Sequence, residues 1–133
     1  MAERRCLFVA AFCIVALGAC SDAFGPLDGT RTYVLRTVDG AAVPLSGRYV
    51  PVDGQVILSA QGRFERRYRY RVDTTGTLKE EVRAGIYQLR GYVLDVAYVG
   101  RHWSPLGELT GRTLVLRMPR VDDGYTIEIY ERQ

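Results

Sequence analysis

Arg63-Phe64-Glu65-Arg66-Arg67-Tyr68-Arg69-Tyr70-Arg71-Val72 is the stretch that decides the fold. Phe64, Tyr68, Tyr70 and Val72 fall on one parity, and Arg63, Glu65, Arg67, Arg69 and Arg71 on the other. Only Arg66 breaks the pattern. A period of two is the mark of a strand with one face packed and the other in solvent.

The same period recurs on both sides of this stretch, interrupted at short intervals by Gly or Asp-Gly, and no segment carries a helical period. Downstream of Thr30 the pattern predicts strands over residues 32–38, 55–60, 63–72, 85–89, 92–99, 106–110, 113–118 and 125–131, with one more leaving the Thr74-Thr75-Gly76 loop. Tyr33 and Leu35 face inward on the first, and Val56, Leu58 and Ala60 on the second. Leu94, Val96 and Tyr98, then Leu114, Leu116 and Met118, do the same, and Tyr125, Ile127 and Ile129 are expected inward on the last. Residues 41–51 are irregular, because Pro44 and Pro51 suit only an edge or a broken strand. Asp53-Gly54 is read as a turn.

Around Thr74-Thr75-Gly76, pairing Val72 with Leu78 gives a three-residue connection with Gly at the left-handed position. That register sets Tyr68 opposite Val82 and Arg69 opposite Glu81. It also places Glu80 beside Tyr70 and Arg66 beside Ala84 on the inner face. A slip of one residue would turn Lys79, Glu81 and Arg83 toward the core, so the even register is expected. Eight to nine strands in simple succession make an all-β fold: an eight-stranded antiparallel up-and-down meander barrel, which closes on itself and leaves no exposed edge. Eight strands leave an interior that side chains fill or that holds one small ligand.

The N-terminus has a different character. Residues 2–5 are basic, 7–17 apolar, and Gly18-Ala19 small, the order of a secretory signal and too short to span a bilayer. Leu17-Gly18-Ala19-Cys20 resembles the lipobox of bacterial lipoprotein signal peptides. The resemblance implies removal of residues 1–19, lipidation of Cys20, a tether over 20–30 and a barrel domain over 31–133. It places the protein in the bacterial cell envelope, anchored to a membrane on the periplasmic face of the outer membrane or at the cell surface. Cys6, Cys13 and Cys20 are the three cysteines of the chain. The domain therefore has no cysteine pair, and its core must hold it together.

Composition excludes several functions. The formal charge is +3, and dropping Glu3, Arg4 and Arg5 with the leader leaves +2, too near neutral to suggest nucleic acid. With His102 as the sole histidine and no domain cysteine, a zinc or transition-metal site is not expected. Glu80-Glu81 and Asp122-Asp123 lack the ligand spacing of a calcium loop, and no phosphate-cradling Gly loop occurs. No cofactor is expected.

Three hairpins together carry a family likeness. Gly54-Gln55-Val56-Ile57-Leu58-Ser59-Ala60-Gln61-Gly62-Arg63-Phe64, then Gly85-Ile86-Tyr87 with Gly91 and Leu94, then Leu109-Thr110-Gly111-Arg112-Thr113-Leu114-Val115-Leu116 resemble the small lipocalin-like domains of bacterial envelope lipoproteins. The Gly-x-Trp start of the secreted lipocalins is missing: Tyr33 stands near that place, and the one Trp is Trp103. The resemblance implies ligand binding and transfers no binding residue by motif.

Inward Tyr68, Tyr70, Tyr87 and Tyr98, with Glu80 and Arg66 as polar anchors, have the make-up of a small-molecule pocket. The same tyrosines suit a filled core if each hydroxyl finds a partner such as Glu80, and Arg66 could hold its charged head in water at a rim. Trp103 is placed to cap an opening. Arg63, Arg67, Arg69 and Arg71 form an outer stripe able to meet an anionic surface or an envelope protein, or else a solvated face paired in part with Glu81. His102, Ser104 and Asp95 are the residue types of a nucleophilic triad without its turn or oxyanion loop. The sequence reading is thus a non-catalytic barrel that binds a small apolar or amphipathic ligand. The alternatives are an envelope interaction module acting through the arginine stripe and, last, a hydrolase.

Overall fold

A computed structural model describes residues 25–47 and 49–133; the expected leader and Cys20 lie outside the described residues. Nine strands follow one another: β1 Arg31–Val38, β2 Ala41–Ala42, β3 Val50–Leu58, β4 Arg63–Arg71, β5 Leu78–Arg90, β6 Val93–Tyr98, β7 Ser104–Thr110, β8 Thr113–Pro119 and β9 Tyr125–Arg132. From β3 to β9 each pairs antiparallel with the next, and β1 pairs with both β3 and β9. The result is a closed eight-stranded antiparallel meander barrel. The two-residue β2 covers the end of β1 that β3 leaves free, pairing Thr37 with Ala42 and Val38 with Ala41.

Alternation fills the interior. Tyr33, Val56, Leu58, Phe64, Leu94, Val96, Leu114, Leu116 and Tyr130 come from six strands and are almost wholly excluded from solvent. Phe64 meets Tyr98 edge-on, with ring centroids 6.1 Å apart. At about 25 cal/mol per Å² of apolar surface removed from water, such a layer supplies the cohesion that a cysteine-free domain requires.

Four details differ from the sequence expectation. First, β3 starts at Val50 and runs straight through Asp53-Gly54, with a bulge between Pro51 and Asp53. Gly54 is a packing glycine: a Cβ there would lie 3.3 Å from both the Tyr68 ring and Leu35. Second, β5 is one thirteen-residue strand that does not break at Gly85. A Cβ at Gly85 would sit 2.5 Å from the Ala97 carbonyl oxygen, so glycine lets β5 and β6 approach.

Third, β4 and β5 pair one residue away from the expected register: Arg71 faces Leu78, Arg69 faces Glu80, and Tyr68 faces Glu81. The turn decides this. Asp73 Oδ1 accepts the Thr75 and Thr77 amides, each at 3.0 Å, and the Thr75 hydroxyl at 2.7 Å, while the Val72 amide donates to the Thr77 carbonyl. This Asx turn sets the loop length and with it the register. Lys79, Glu81 and Arg83 do take the inner parity, but their stretch of β5 rises past the packed layer, and the side chains of Glu81 and Arg83 stay about half exposed. Glu80 therefore points outward and is not beside Tyr70 in the interior.

Fourth, β9 has the opposite parity. Glu128 and Tyr130 are buried inside, whereas Tyr125 is exposed and Ile127 and Ile129 are partly so. A carboxylate enters the core because Arg66 already occupies it. Arg66 Nη2 and Nε donate to Glu128 at 2.5 and 3.1 Å, and the Tyr130 hydroxyl donates to the same carboxylate at 2.7 Å. Arg66 is thus a buried ion-pair partner and does not reach water at a rim. Its guanidinium carbon lies 4.2 Å from the Tyr68 ring centroid, which adds a cation–π contact.

The two ends of the barrel are unlike. At the end bearing the β3–β4, β5–β6 and β7–β8 turns, the segment ahead of β1 is docked. Gly25 bridges Leu89, the Leu27 amide donates to the Tyr87 hydroxyl at 3.0 Å, and that hydroxyl donates to the Ser59 carbonyl at 2.7 Å. Leu27 packs on the core. Residues 25–30 close this end and are not a free tether.

Candidate functional site

The other end carries an opening built by the strands themselves. The β7–β8 ladder runs from Thr110↔Thr113 to Gly107↔Leu116 and stops there, although β7 begins at Ser104 and β8 continues to Pro119. Continuing the register would set Pro105 against Met118 and Ser104 against Pro119. Proline has no N–H to donate, so two ladder bonds are lost. On its other side β7 carries a bulge: Leu94 faces Gly107 but Asp95 faces Pro105, which leaves Leu106 as the extra residue. It turns inward and is buried.

The wall parts as a result, and a cleft of about 530 Å³ lies between β7 and β8. Inward Tyr98, Leu106 and Met118 form its apolar floor, Arg83, Arg101 and Arg117 its cationic border, and His102, Ser104, Pro105, Pro119 and Tyr125 complete the lining. No carboxylate lines it. The Tyr98 hydroxyl is buried without a hydrogen-bond partner among the described residues. Burial raises its pKa against the opposing charges of Arg83 and Arg66. Burial also pushes Tyr68 up to about 12, and burial with the Glu128 charge holds Tyr130 far above the ordinary tyrosine value. All three phenols are neutral donors at neutral pH.

The structure disperses most of the residues marked out by sequence. Tyr98 lies in the cleft. Tyr68 is inward and half-buried under Arg66, next to Glu128 and Tyr130, in a polar layer above the apolar core. Tyr70 faces Lys79 higher on the same wall. Tyr87 belongs to the closed end, where its hydroxyl bonds Leu27 and Ser59. Trp103 does not cap the mouth. It is 45% exposed and lines a hollow of about 670 Å³ on the outer wall with Ile86, Ala97, Val99 and Arg63.

The arginine stripe is largely balanced by acids. Arg67 pairs with Glu65, and Arg69 with Asp53. Glu80 joins Arg67, Arg69 and Asp53 around an outer groove. Arg71 reaches the Leu45 carbonyl, and Glu81 pairs with Arg83 and not with the stripe. Arg63 forms no ion pair among the described residues. Of the triad types, His102 and Ser104 line the cleft, whereas Asp95 is outside it, held by Arg90 at 3.4 Å. No group of three His, Cys, Asp or Glu able to hold a metal occurs among the described residues.

Sequence reasoning passed over Glu128, Tyr130, Arg83, Arg101 and Arg117. Two sequence signals mark their surroundings. An arginine on an apolar parity requires an inward carboxylate, and prolines on both strands of one hairpin, Pro105 and Pro119, one register step from facing each other, mark a break in its ladder. Comparison with protein-family models, with curated proteins and with solved structures finds no match to this chain, so its chemistry rests on its own geometry.

Proposed function

We propose that this chain is a non-catalytic binding barrel of the bacterial cell envelope, lipocalin-like in kind, that is tethered through a lipid on Cys20 and takes a small apolar or amphipathic molecule. The observation that carries the reading is the parted wall between β7 and β8, floored by Tyr98, Leu106 and Met118. A concave apolar floor with few polar groups is the common make-up of small-molecule sites. The packed layer of Tyr33, Phe64 and Tyr130 leaves the cleft, rather than the barrel axis, as the place for the ligand. Docking of residues 25–30 at the opposite end supports an orientation in which the cleft faces away from the anchoring membrane. Gly25 is five positions beyond Cys20, a reach of at most about 18 Å.

The test is native mass spectrometry of protein purified from its host, joined to NMR titration with small amphiphiles. Retained mass, with shifts at Tyr98, Leu106 and Met118 that Leu106→Trp abolishes without unfolding, is the expected result. No retained molecule and no shift at millimolar ligand would refute the proposal.

A second reading, docking of an envelope partner on the outer wall, draws on half-exposed Ile86 and Trp103 beside Arg63. It predicts that Ile86→Glu abolishes partner retention in pull-downs, while unchanged retention would count against it.

A further inference from the structure

The border of the cleft carries information beyond its apolar floor. Arg83 on β5, Arg101 in the β6–β7 loop and Arg117 on β8 bring arginines from three separate elements to the lining of one hollow; Arg101 also borders the outer-wall hollow. Only two have acidic company. Arg83 Nε bonds Glu81 at 2.5 Å, and Arg117 stands 3.7 Å from Glu108, a loose contact. Arg101 has no ion-pair partner among the described residues. Neither Glu81 nor Glu108 lines the cleft. The interior cation, Arg66, is already neutralised by Glu128, so the excess positive charge belongs to the border.

A hollow bordered by three arginines and lined by no carboxylate carries an excess of positive charge. The fork of a guanidinium matches a phosphate or carboxylate through paired N–H donors. The floor adds a second requirement. Tyr98, Pro105, Met118 and Tyr125 offer flat or flexible apolar surfaces suited to a ring or a short chain, and the unpartnered Tyr98 hydroxyl offers one buried hydrogen bond.

Building on the binding function proposed above, we infer that the β7–β8 cleft selects a small organic anion. Its phosphate or carboxylate is met by Arg83, Arg101 and Arg117, and its apolar body lies on Tyr98, Leu106 and Met118. The shared chemistry is an anionic group on an apolar body; the two head groups differ in charge and in how many forks they engage.

The experiment compares three probes with one body, 2-naphthyl phosphate, 2-naphthoate and 2-naphthol, by calorimetry and NMR. It uses the protein and the variants Arg83→Gln, Arg101→Gln and Arg117→Gln. These side chains are about half exposed or more, so the variants retain the fold, which circular dichroism checks. Phosphate is expected to bind best and naphthol weakest, by at least tenfold, since a hydrogen bond to a charged group is lost. Arg101→Gln weakens the phosphate and carboxylate probes about tenfold and leaves naphthol unchanged, and added salt narrows the gap. Excess inorganic phosphate competes for the arginines and weakens the phosphate and carboxylate probes, while naphthol, which does not use them, is unaffected.

Equal affinity for the three probes would overturn the anion preference while leaving the binding reading in place. Tight anion binding that ignores all three arginine variants would overturn it as well, by moving the head group elsewhere. If none of the three binds at millimolar concentration the inference falls; a neutral molecule retained from the host would then show that the binding reading survives without it.

Discussion

Replacing Arg66 with methionine tests whether the barrel is packed at the level of its polar layer. The Arg66 and Glu128 side chains are 6% and 2% exposed, so the screening that reduces surface ion pairs to little value does not apply. Methionine keeps most of the stem that lies against Tyr68 but strands the Glu128 carboxylate in the interior, with the Tyr130 hydroxyl as its remaining donor. Breaking one side of a buried pair costs about 3–5 kcal/mol. For a domain of this size that is a fall in Tm on the order of 15–25 °C. The companion Arg66→Met/Glu128→Gln removes both charges, and the glutamine oxygen still accepts from Tyr130. Swapping a whole buried pair for neutral groups of similar volume is close to neutral, so the double variant should return to within about 1–2 kcal/mol of the parent. Urea unfolding followed by circular dichroism and Trp103 fluorescence measures both. A loss under about 1 kcal/mol in the single variant would mean that water reaches the pair and the interior is not filled there. A double variant as unstable as the single one would trace the loss to packing on Tyr68, and the stranded-charge argument would fail.

Other expected outcomes follow from neighbouring features. Gly85→Ala forces a methyl onto the Ala97 carbonyl and should cost about 1–3 kcal/mol, seen as a lower urea midpoint with the slope unchanged. Tyr87→Phe removes two hydrogen bonds, each worth roughly 0.5–1.5 kcal/mol, and hydrogen exchange at the Leu27 and Leu89 amides should speed up as the closed end loosens. Phenolate absorbance gives the alkaline limit. Tyr68 is raised to about 12 by burial, above the unfolded value near 10. The folded state therefore keeps its proton while the unfolded chain loses it, so stability is full below pH 10 and declines from there to about 12. Titration of Tyr68 at its ordinary value in the folded protein would contradict its burial. Asp73 lies on the opposite side: hydrogen bonds from Thr75 and Thr77 lower it to about 2. Its contribution is complete above the unfolded pKa near 3.8 and is lost as pH falls through about 2, with an NMR carboxyl titration as the readout and Asp73→Asn as the control.

Strand existence and the barrel are legible in the sequence because a period of two is a local property, and each Gly or Asp-Gly break can be seen without knowing what the strand meets. Phe64, Tyr68 and Tyr70 fall inward on that ground alone. The charge balance and the absence of a cysteine pair after residue 20 are equally plain. Parity in isolation misleads where a strand's company is distant in sequence. Glu128 looks like an outward residue among isoleucines until Arg66, 62 positions away, is known to need it. The Asp73 turn outweighs the hydrophobic alternation of β5, since the upper part of that strand leaves the packed layer and no core penalty enforces the other register.

The sequence by itself determined an all-β meander, because spacing, turn residues and composition act within a few residues of each other. Only the tertiary structure decided which face of β9 is inside, which tyrosines close an end and which line an opening, and which arginines border it. Those outcomes depend on ladder register, on a bulge at Leu106 and on the N–H groups that Pro105 and Pro119 lack, and each is a property of two strands together.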